Sequence, residues 1–310
     1  MAHASKLASD DVNLRKRASL TFQIGSYHYS LVADAGRSVY SVSDGKQSMS
    51  FEPLWAMGAG HMGQTYVYEQ SGDYYESHVS YYTAVESLDV TTGHDRGLPP
   101  NLKNAAGRRM YAPETRLCFG CHTTASATSN KFDPANLYQG VTCEACHGPG
   151  ADHVAAEESG MADARSLAFN PNHLSRADAV DFCGACHRTT GDVLNSNWVE
   201  IGVMNVRFQP YRLQLSRCWE KGDSRLTCTS CHDPHQPLRH SAAEYDAACL
   251  KCHVASLGAK ATADHPGKGC SKSTNNCVTC HMPRYELPGA HSTFTDHWIR
   301  VVLANEAYPN

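Results

Sequence analysis

Residues 226–236 read LTCTSCHDPHQ and contain the pattern on which the rest of the sequence depends. Cys228 and Cys231 are separated by two residues, and His232 follows the second cysteine directly. These three residues complete a C-x-x-C-H unit. His235 stands only three residues further on, and this second imidazole has no place in that unit.

The same unit occurs six times in the 310-residue chain, which contains 14 cysteines and 18 histidines. The six copies are Cys118–Cys121–His122, Cys143–Cys146–His147, Cys183–Cys186–His187, Cys228–Cys231–His232, Cys249–Cys252–His253 and Cys277–Cys280–His281. At this histidine content, six such adjacencies would arise by chance with a probability of roughly 10⁻⁷ or less. The repeat therefore has a chemical cause.

Covalent haem attachment accounts for all three residues of the unit. Zinc knuckles use C-x-x-C pairs but do not need histidine at the next position each time, and a disulfide framework needs no histidine. In haem attachment, the two cysteines form thioethers with the porphyrin and the adjacent histidine binds the iron. The sequence therefore predicts six haem c groups. Because haem is joined to such units outside the cytoplasm, it also predicts a periplasmic or extracellular location.

Composition excludes two other classes of function. Lys and Arg number 27 against 31 Asp and Glu, so the formal net charge of −4 gives no electrostatic basis for binding nucleic acid. The mean hydropathy is −0.45, and no apolar run approaches the roughly 20 residues that a transmembrane helix needs. Residues 1–20 lack the apolar segment of a signal peptide, so we expect either a removed leader or a truncated start.

The spacing of the units predicts how the chain is organised. All six lie within residues 118–281, which leaves about 27 residues for each haem. So short a segment cannot build a conventional hydrophobic core around every porphyrin, so we expect the haems to form the core. The predicted fold is a mostly α-helical and irregular multihaem cytochrome c with a small β-rich N-terminal region. The expected domains are residues 1–107 and 108–310.

Strand and turn signals are concentrated in the N-terminal region. Residues 26–33, 37–43 and 46–52 read as a meander, and Asp44–Gly45 is a strong two-residue hairpin signal. Residues 64–69 and 74–80 read as a second hairpin around Ser71–Gly72, and residues 93–107 as a linker. Helical composition is found at residues 152–169, 178–188 and 242–263.

The number of spare histidines decides whether every iron can have a second axial ligand. Two ligands close the iron and suit it to electron transfer, whereas a vacant position leaves it open to a small molecule. Outside the six units there are 12 histidines, so one for each iron is possible. The 12 are His3, His28, His61, His78, His94, His153, His173, His235, His240, His265, His291 and His297.

His235 cannot serve the iron that His232 binds. Three residues span at most ~10–11 Å, and Pro234 stiffens the connection. A link this short cannot pass around the edge of a porphyrin to its far face. As a ligand, His235 would therefore bind a neighbouring haem and hold two haems close together. The alternative is a surface or hydrogen-bonded histidine.

Five further histidines are candidate distal ligands: His61, His94, His153, His291 and His297. His153 follows the second unit by six residues, and the last two follow the sixth unit. His61 lies in a glycine-rich turn and His94 at the end of the β-rich segment, where a purely structural role is equally open. His78 is expected to be packed or exposed on a strand, and the remaining histidines carry no signal for ligation.

Three stretches resemble a superfamily of multihaem cytochromes c that includes the tetrahaem cytochromes of ammonia oxidisers, hydroxylamine oxidoreductase and pentahaem nitrite reductase. They are residues 143–153 (CEACHGPGADH), 228–235 (CTSCHDPH) and 277–297 (CVTCHMPRYELPGAHSTFTDH). In such families a histidine shortly after a unit commonly binds another haem. The resemblance therefore implies that His153, His235 and His297 are distal ligands, with His291 next.

The sequence departs from the enzymes of that superfamily. Pentahaem nitrite reductases replace the histidine of the active-site unit with lysine, and none of the six units here does so. The cross-linking tyrosine of hydroxylamine oxidoreductase has no assignable counterpart. Cys218 and Cys270 are the two cysteines outside the units, and in an oxidising compartment they are expected to form a disulfide, with two buried thiols as the alternative.

The leading functional hypothesis is an extracytoplasmic hexahaem electron carrier whose irons mostly have two histidine ligands. Its partners would be redox proteins or extracellular electron acceptors. A second hypothesis is an enzyme with one five-coordinate haem that acts on a small nitrogen or sulfur species. A third is a filament whose subunits exchange a distal histidine, which the surplus of histidines and the position of His3 near a terminus permit.

Overall fold

The computed structural model describes residues 4–6, 19–34, 37–128, 130–196, 198–221, 224–253, 270, 272–303, 306 and 308. By packing, the chain forms two compact units. The first comprises residues 1–169 and 289–292, and the second comprises residues 170–288 and 293–310. Two of the six C-x-x-C-H units therefore belong to the first unit and four to the second. The expected domain boundary at residue 107 stays a prediction.

A four-stranded antiparallel meander begins the described part of the first unit. Its strands are β2 (Ser19–Ile24), β3 (Tyr27–Asp34), β4 (Arg37–Ser43) and β5 (Ser48–Phe51), paired in that order. The three strands predicted within residues 26–52 are confirmed as β3, β4 and β5. At the β4–β5 turn, the Asp44 carboxylate accepts hydrogen bonds from the backbone N–H groups of Lys46 and Gln47, both at 2.8 Å. Gly45 adopts φ +86°, which this turn requires.

A second antiparallel sheet contains six strands. They are β1 (Ala4–Lys6), β6 (Pro53–Met57), β7 (Gly63–Gln70), β8 (Asp73–Tyr82), β9 (Ser87–Val90) and β10 (Gly107–Arg109). The order is β1-β6-β7-β8-β10, and β9 also pairs with β8. The hairpin predicted around Ser71–Gly72 is confirmed as β7–β8.

Aromatic side chains from both sheets form the core of the first unit. Tyr29, Tyr40, Tyr66 and Tyr68 are all nearly inaccessible to solvent and belong to one apolar cluster. The ring of Tyr68 stacks on that of Phe51 with 4.1 Å between centroids. Strict alternation of inward and outward residues along β4 explains how the meander supplies its half of this core.

Short helices follow the sheets in the first unit. They are α1 (Leu102–Ala106), α2 (Ala112–His122), α3 (Cys143–His147) and α4 (Ala151–Glu158). Two small hairpins lie between α2 and α3: β11 (Thr123–Thr124) pairs with β14 (Tyr138–Gln139), and β12 (Ala127–Thr128) with β13 (Lys131–Phe132). The segment predicted as a linker, residues 93–107, ends in α1 and the start of β10. There the Tyr40 hydroxyl donates to the Ala106 carbonyl at 2.9 Å.

The second unit consists of short helices and one β-hairpin. The helices are α5 (Arg176–His187), α6 (Thr190–Asn195), α7 (Gln209–Gln214), α8 (Arg217–Glu220), α9 (Asp246–Leu250) and α10 (Cys277–His281), with 3-10 helices at Trp198–Arg207, Cys228–Ser230 and Ala242–Tyr245. The hairpin joins β15 (Arg284–Leu287) to β16 (Ser292–Thr295). Among the described residues, no helix is both long enough and apolar enough to cross a membrane.

The predicted helices are found with different limits. The helix predicted at residues 178–188 is confirmed as α5. The one predicted at residues 152–169 is α4 followed by a separate 3-10 turn, Ala164–Leu167, because Gly160 takes φ +72° between them. Of the segment 242–263, the structure has a 3-10 turn and α9, and residues 254–263 lie outside the described part.

Replacing Gly107 with alanine tests the close approach of β10 to β8. A Cβ atom at Gly107, where φ is +155°, would lie 2.2 Å from the backbone oxygen of Glu76. Gly72 also has positive φ, +83°, but its Cβ would meet nothing within 4 Å. We expect Gly72→Ala to lower the free energy of unfolding by about 1 kcal/mol, from backbone strain alone. Gly107→Ala should lower it by about 3 kcal/mol, because the clash is added to the strain.

Urea unfolding followed by far-ultraviolet circular dichroism measures both losses. Equal losses for the two variants would contradict the backbone contact.

Candidate haem-binding sites

Each C-x-x-C-H unit places its three reactive side chains on one face of a helical turn. Residues i, i+3 and i+4 of a helix share a face, and four units lie in α2, α3, α5 and α10. In the other two, the N–H of the histidine donates to the carbonyl of the first cysteine at 2.9 Å, for His232 to Cys228 and for His253 to Cys249. All six units therefore share the same local arrangement of two thiols and an imidazole.

All 14 cysteines lie among the described residues, and each is a thiol rather than half of a disulfide. The disulfide expected between Cys218 and Cys270 is therefore not formed. The reason is position: Cys218 lies near Cys231 and raises the pKa of that thiol beyond the effect of burial. Cys270 instead is hydrogen-bonded to the side chain of His281.

Four histidines donate Nδ1–H to a main-chain carbonyl oxygen: His147, His153, His281 and His297. Their acceptors are the carbonyls of Phe169, Ala164, Arg300 and Thr295, at 2.8, 2.9, 2.8 and 3.0 Å respectively. A carbonyl only accepts, so Nδ1 must carry the proton and the lone pair of the neutral ring lies on Nε2. A metal-binding histidine commonly has this tautomer, with one ring nitrogen donating to a carbonyl and the other free to bind the metal. Two of the four belong to C-x-x-C-H units, and the other two are predicted distal ligands.

In the second compact unit, the ring of His297 faces the ring of His232, the histidine of the fourth C-x-x-C-H unit. Its ring centroid lies 6.1 Å from that of His232, with 35° between the planes. Burial lowers the pKa of His297 to about 4, and the charge of His232 acts in the same direction. Burial also lowers the pKa of His187, which interacts electrostatically with both rings. Three neutral imidazoles therefore converge in this part of the fold.

In the second compact unit of the fold, the thiols of successive C-x-x-C-H units lie beside one another. Cys183 of the third unit shares a hydrogen bond with Cys228 of the fourth. Cys249 of the fifth shares one with Cys277 of the sixth. Cys252 of the fifth is close enough to Cys231 of the fourth to raise its pKa, after burial. The third to sixth C-x-x-C-H units thus form a continuous series of neighbours.

The other four predicted ligands have different surroundings. His291 Nε2 lies 2.6 Å from an Asp89 carboxylate oxygen, and His94 Nε2 lies 2.9 Å from Glu76. His235 has a 73 % exposed side chain, and His61 is exposed in the turn between β6 and β7. Of the six predicted distal ligands, the structure gives the metal-binding tautomer to His153 and His297. As ligands of iron, all six histidines stay predictions.

The residues present fit covalently bound haem. The C-x-x-C-H units offer paired thiols and imidazoles, which are the groups that haem c requires. Large apolar side chains are also exposed near His153 and the C-x-x-C-H unit Cys143–Cys146–His147. A porphyrin bound at that C-x-x-C-H unit would cover them. They are Val154, Met161, Leu167 and Phe169.

A buried ion pair adjoins His297 and was not anticipated from the sequence. Arg212 and Asp296 have side-chain exposures of 0 % each and are linked at 2.8 Å. Burial raises the pKa of Asp296, but hydrogen bonds with Arg212 and the Trp298 backbone outweigh it and hold this pKa below its usual value. The only signal in the sequence was that Asp296 directly precedes a candidate ligand, and nothing pointed to an arginine 84 positions earlier.

Comparison with known proteins gives two matches. A family model described as "Cytochrome c554 and c-prime" matches residues 69–148, which include the first two C-x-x-C-H units. "Multiheme cytochrome MtrA" of Shewanella baltica (strain OS185) is 25% identical over 192 residues, or 48% of this chain and 56% of the relative. The match thus spans about half the length of that relative. No solved structure matches the chain.

These matches support a multihaem c-type cytochrome with covalently bound haem that transfers electrons. They support the resemblance to multihaem c-type cytochromes, whereas the subtype and the number of haems stay predictions.

The pH dependence of stability tests the burial of His78, which is not part of a haem-binding unit. His78 is 6 % exposed and stacks on Tyr29 with 5.9 Å between centroids. Burial first, and then the charge of His94, lower its pKa to about 4. Between pH 6.5 and 4 the unfolded chain binds a proton at this histidine that the folded chain does not. Stability at this position is therefore fully present above pH 6.5 and falls by about 2–3 kcal/mol as the pH falls to 4.

We expect His78→Phe to reduce this slope, measured as the free energy of urea unfolding at intervals from pH 7 to 4. His28 lies exposed on β3, so His28→Gln is the matched control and should keep the slope. A slope of the same size in His78→Phe would contradict the assignment.

Proposed function

We propose that this protein is an extracytoplasmic hexahaem cytochrome c that moves electrons by sequential one-electron hopping along closely spaced haems. The observation that carries the proposal is the continuous series of neighbouring thiols in the second unit. The helix α5, which contains Cys183, packs against the 3-10 helix Cys228–Ser230, and α9, which contains Cys249, packs against α10, which begins at Cys277. Since each cysteine is an attachment point, neighbouring thiols favour neighbouring porphyrins.

Histidines are proposed as distal ligands of most irons. His297 is assigned to the haem attached at Cys228 and Cys231, because its ring faces that of His232. His153 is assigned to a haem of the first unit, because its Nδ1–H donates to the Ala164 carbonyl and leaves Nε2 available. Two nitrogen ligands favour a closed iron that transfers electrons and binds no substrate.

The protein's own residues would set the properties of each site. When bound, the haem irons supply the one-electron chemistry. The main-chain carbonyls of Phe169 and Arg300 hold the imidazoles of His147 and His281 in one orientation. His297 lies beside His232, and its burial lowers the pKa and so keeps the ring neutral. Ligand orientation, burial and nearby charge are the means by which a protein tunes a haem potential.

The packing of the second unit supports the proposal that haems form its core. Its apolar cluster comprises only Val193, Phe208 and Tyr211 among the described residues, whereas one cluster of the first unit contains 14 buried residues. A chain segment with so few buried apolar side chains needs another apolar component to hold its helices together. Porphyrin rings attached at four units would supply it.

The proposal extends to location and partners. Assembly outside the cytoplasm, in the periplasm or the extracellular space, follows from thioether attachment. Redox proteins or extracellular acceptors would exchange electrons with the outermost haems. Electron microscopy would distinguish a discrete carrier from a filament, since a filament requires each subunit to supply a ligand to the next.

The haem count is the first test. We expect the intact mass of the holoprotein to exceed that of the polypeptide by six haems, and the pyridine haemochrome spectrum to give the same number. Cys228→Ala combined with Cys231→Ala should lower the count to five. A wild-type count below six would contradict the hexahaem proposal.

Replacing His297 with alanine tests its proposed ligation. Loss of the sixth ligand should convert one ferric haem from low spin to high spin, because alanine offers no donor. Electron paramagnetic resonance of the oxidised holoprotein measures the new component, and the haem count should remain six. His240 is exposed, so His240→Ala is the control and should leave the spectrum unchanged. An unchanged low-spin spectrum in His297→Ala would refute the assignment.

A further inference from the structure

Residues 296–300 of the second unit contain a buried ionic network. Arg212 donates two hydrogen bonds to Asp296, from Nε to Oδ1 at 2.9 Å and from Nη2 to Oδ2 at 2.8 Å. Arg300 donates to the same Oδ2 from Nη1 at 2.8 Å. A second carboxylate joins at the edge of the network, where Glu306 Oε1 lies 3.5 Å from Arg300 Nε, so two guanidinium groups face two carboxylates and the formal charges balance. Charges are costly to bury, so stability alone does not explain a network of this kind.

The same five residues contact the histidines of two C-x-x-C-H units. His297 directly follows Asp296, and its ring faces that of His232. At the other end of the segment, the Arg300 carbonyl accepts a hydrogen bond from His281 Nδ1 at 2.8 Å. The backbone N–H of Arg300 donates to the His281 carbonyl at 3.2 Å. The orientation of residues 296–300 therefore fixes two imidazoles together: that of His297 beside the fourth C-x-x-C-H unit, and that of His281 in the sixth.

Aromatic rings and a buried hydroxyl enclose the network. The Arg212 guanidinium lies 5.1 Å from the centroid of Trp298 and 4.9 Å from that of Tyr308. The buried Ser216 hydroxyl accepts from the Ile299 N–H at 2.9 Å. Charges enclosed in this way are screened little by water and salt, so their field reaches neighbouring groups.

We propose that Arg212, Asp296 and Arg300 are positioning residues that orient His297 and His281 for iron, and that the buried charges of Arg212 and Asp296 act in opposite directions on the reduction potential of the adjacent haems. The inference rests on the proposed ligation by His297. A ferric haem carries one more positive charge than a ferrous haem. A fixed positive charge nearby therefore favours the reduced state.

Opposite charge changes in the network give the sharpest test. Arg212→Gln removes a cation and should lower the potential of at least one haem. Asp296→Asn removes the anion and should raise the potential of the same haem. Each shift should change the ratio of reduced to oxidised haem at fixed ambient potential by about threefold or more. A merely structural disturbance has no reason to move the potential in opposite directions.

The measurement is a spectroelectrochemical titration of the full-length holoprotein with six haems attached. Arg217 lies exposed on α8, so Arg217→Gln is the matched control for the loss of one cation and should shift no potential by that amount. Arg212→Lys keeps the charge but cannot make both hydrogen bonds. It should preserve the potential and change the low-spin resonance of one haem, which separates charge from orientation. If Arg212→Gln does not assemble six haems, Arg300→Gln provides the same loss of charge while Arg212 remains paired with Asp296.

The outcomes separate this inference from the proposed function. A low-spin spectrum retained in His297→Ala would overturn the ligation and this inference with it. If His297→Ala becomes high spin but the Arg212 and Asp296 variants shift the potential in the same direction, the inference alone is overturned. Shifts no larger than that of Arg217→Gln would overturn it in the same way.

Discussion

The geometry of the C-x-x-C-H unit, which is five consecutive residues long, constrains this whole molecule. Two thiols and an imidazole must lie on one face of a single helical turn, and the i→i+4 hydrogen bonds at His232 and His253 preserve that geometry even where no regular helix forms. Six such turns divide the chain after residue 117 into short helices and connections. Each turn would fix one side of a proposed haem site, so a second ligand and the surroundings would have to come from elsewhere in the chain.

The two units meet this requirement with different cores. The first unit has a conventional one, in which tyrosines of two antiparallel sheets pack against each other. In the second unit, the described residues have few buried apolar side chains, and the pair Arg212–Asp296 is completely buried. A β-rich region folds on its own side chains, whereas a segment with four C-x-x-C-H units has few residues left for an apolar core. This contrast is the physical basis for proposing haem as the core of the second unit.

Hydrogen-bond partners distinguish the candidate histidines. His153 and His297 donate Nδ1–H to neutral carbonyls and keep a lone pair on Nε2. His291 instead directs Nε2 at the carboxylate of Asp89, which favours a proton on that nitrogen. His94 Nε2 lies beside the Glu76 carboxylate but also accepts a hydrogen bond from the Nε–H of Arg108 at 3.2 Å. The hydrogen-bond partner of each ring therefore distinguishes candidate ligands that have similar distances in sequence from a C-x-x-C-H unit.

The sequence alone determined the features that depend on neighbouring residues. The strands β3, β4 and β5 and the β7–β8 hairpin follow from alternation and turn residues, and the six attachment units follow from spacing. Tertiary structure decided everything that joins distant parts of the chain. It placed His297 opposite His232, Cys183 beside Cys228, and Arg212 against Asp296, 84 positions away. It also kept Cys218 and Cys270 as separate thiols. Local patterns record the geometry of a single turn or hairpin, whereas such pairings arise only when the whole chain packs.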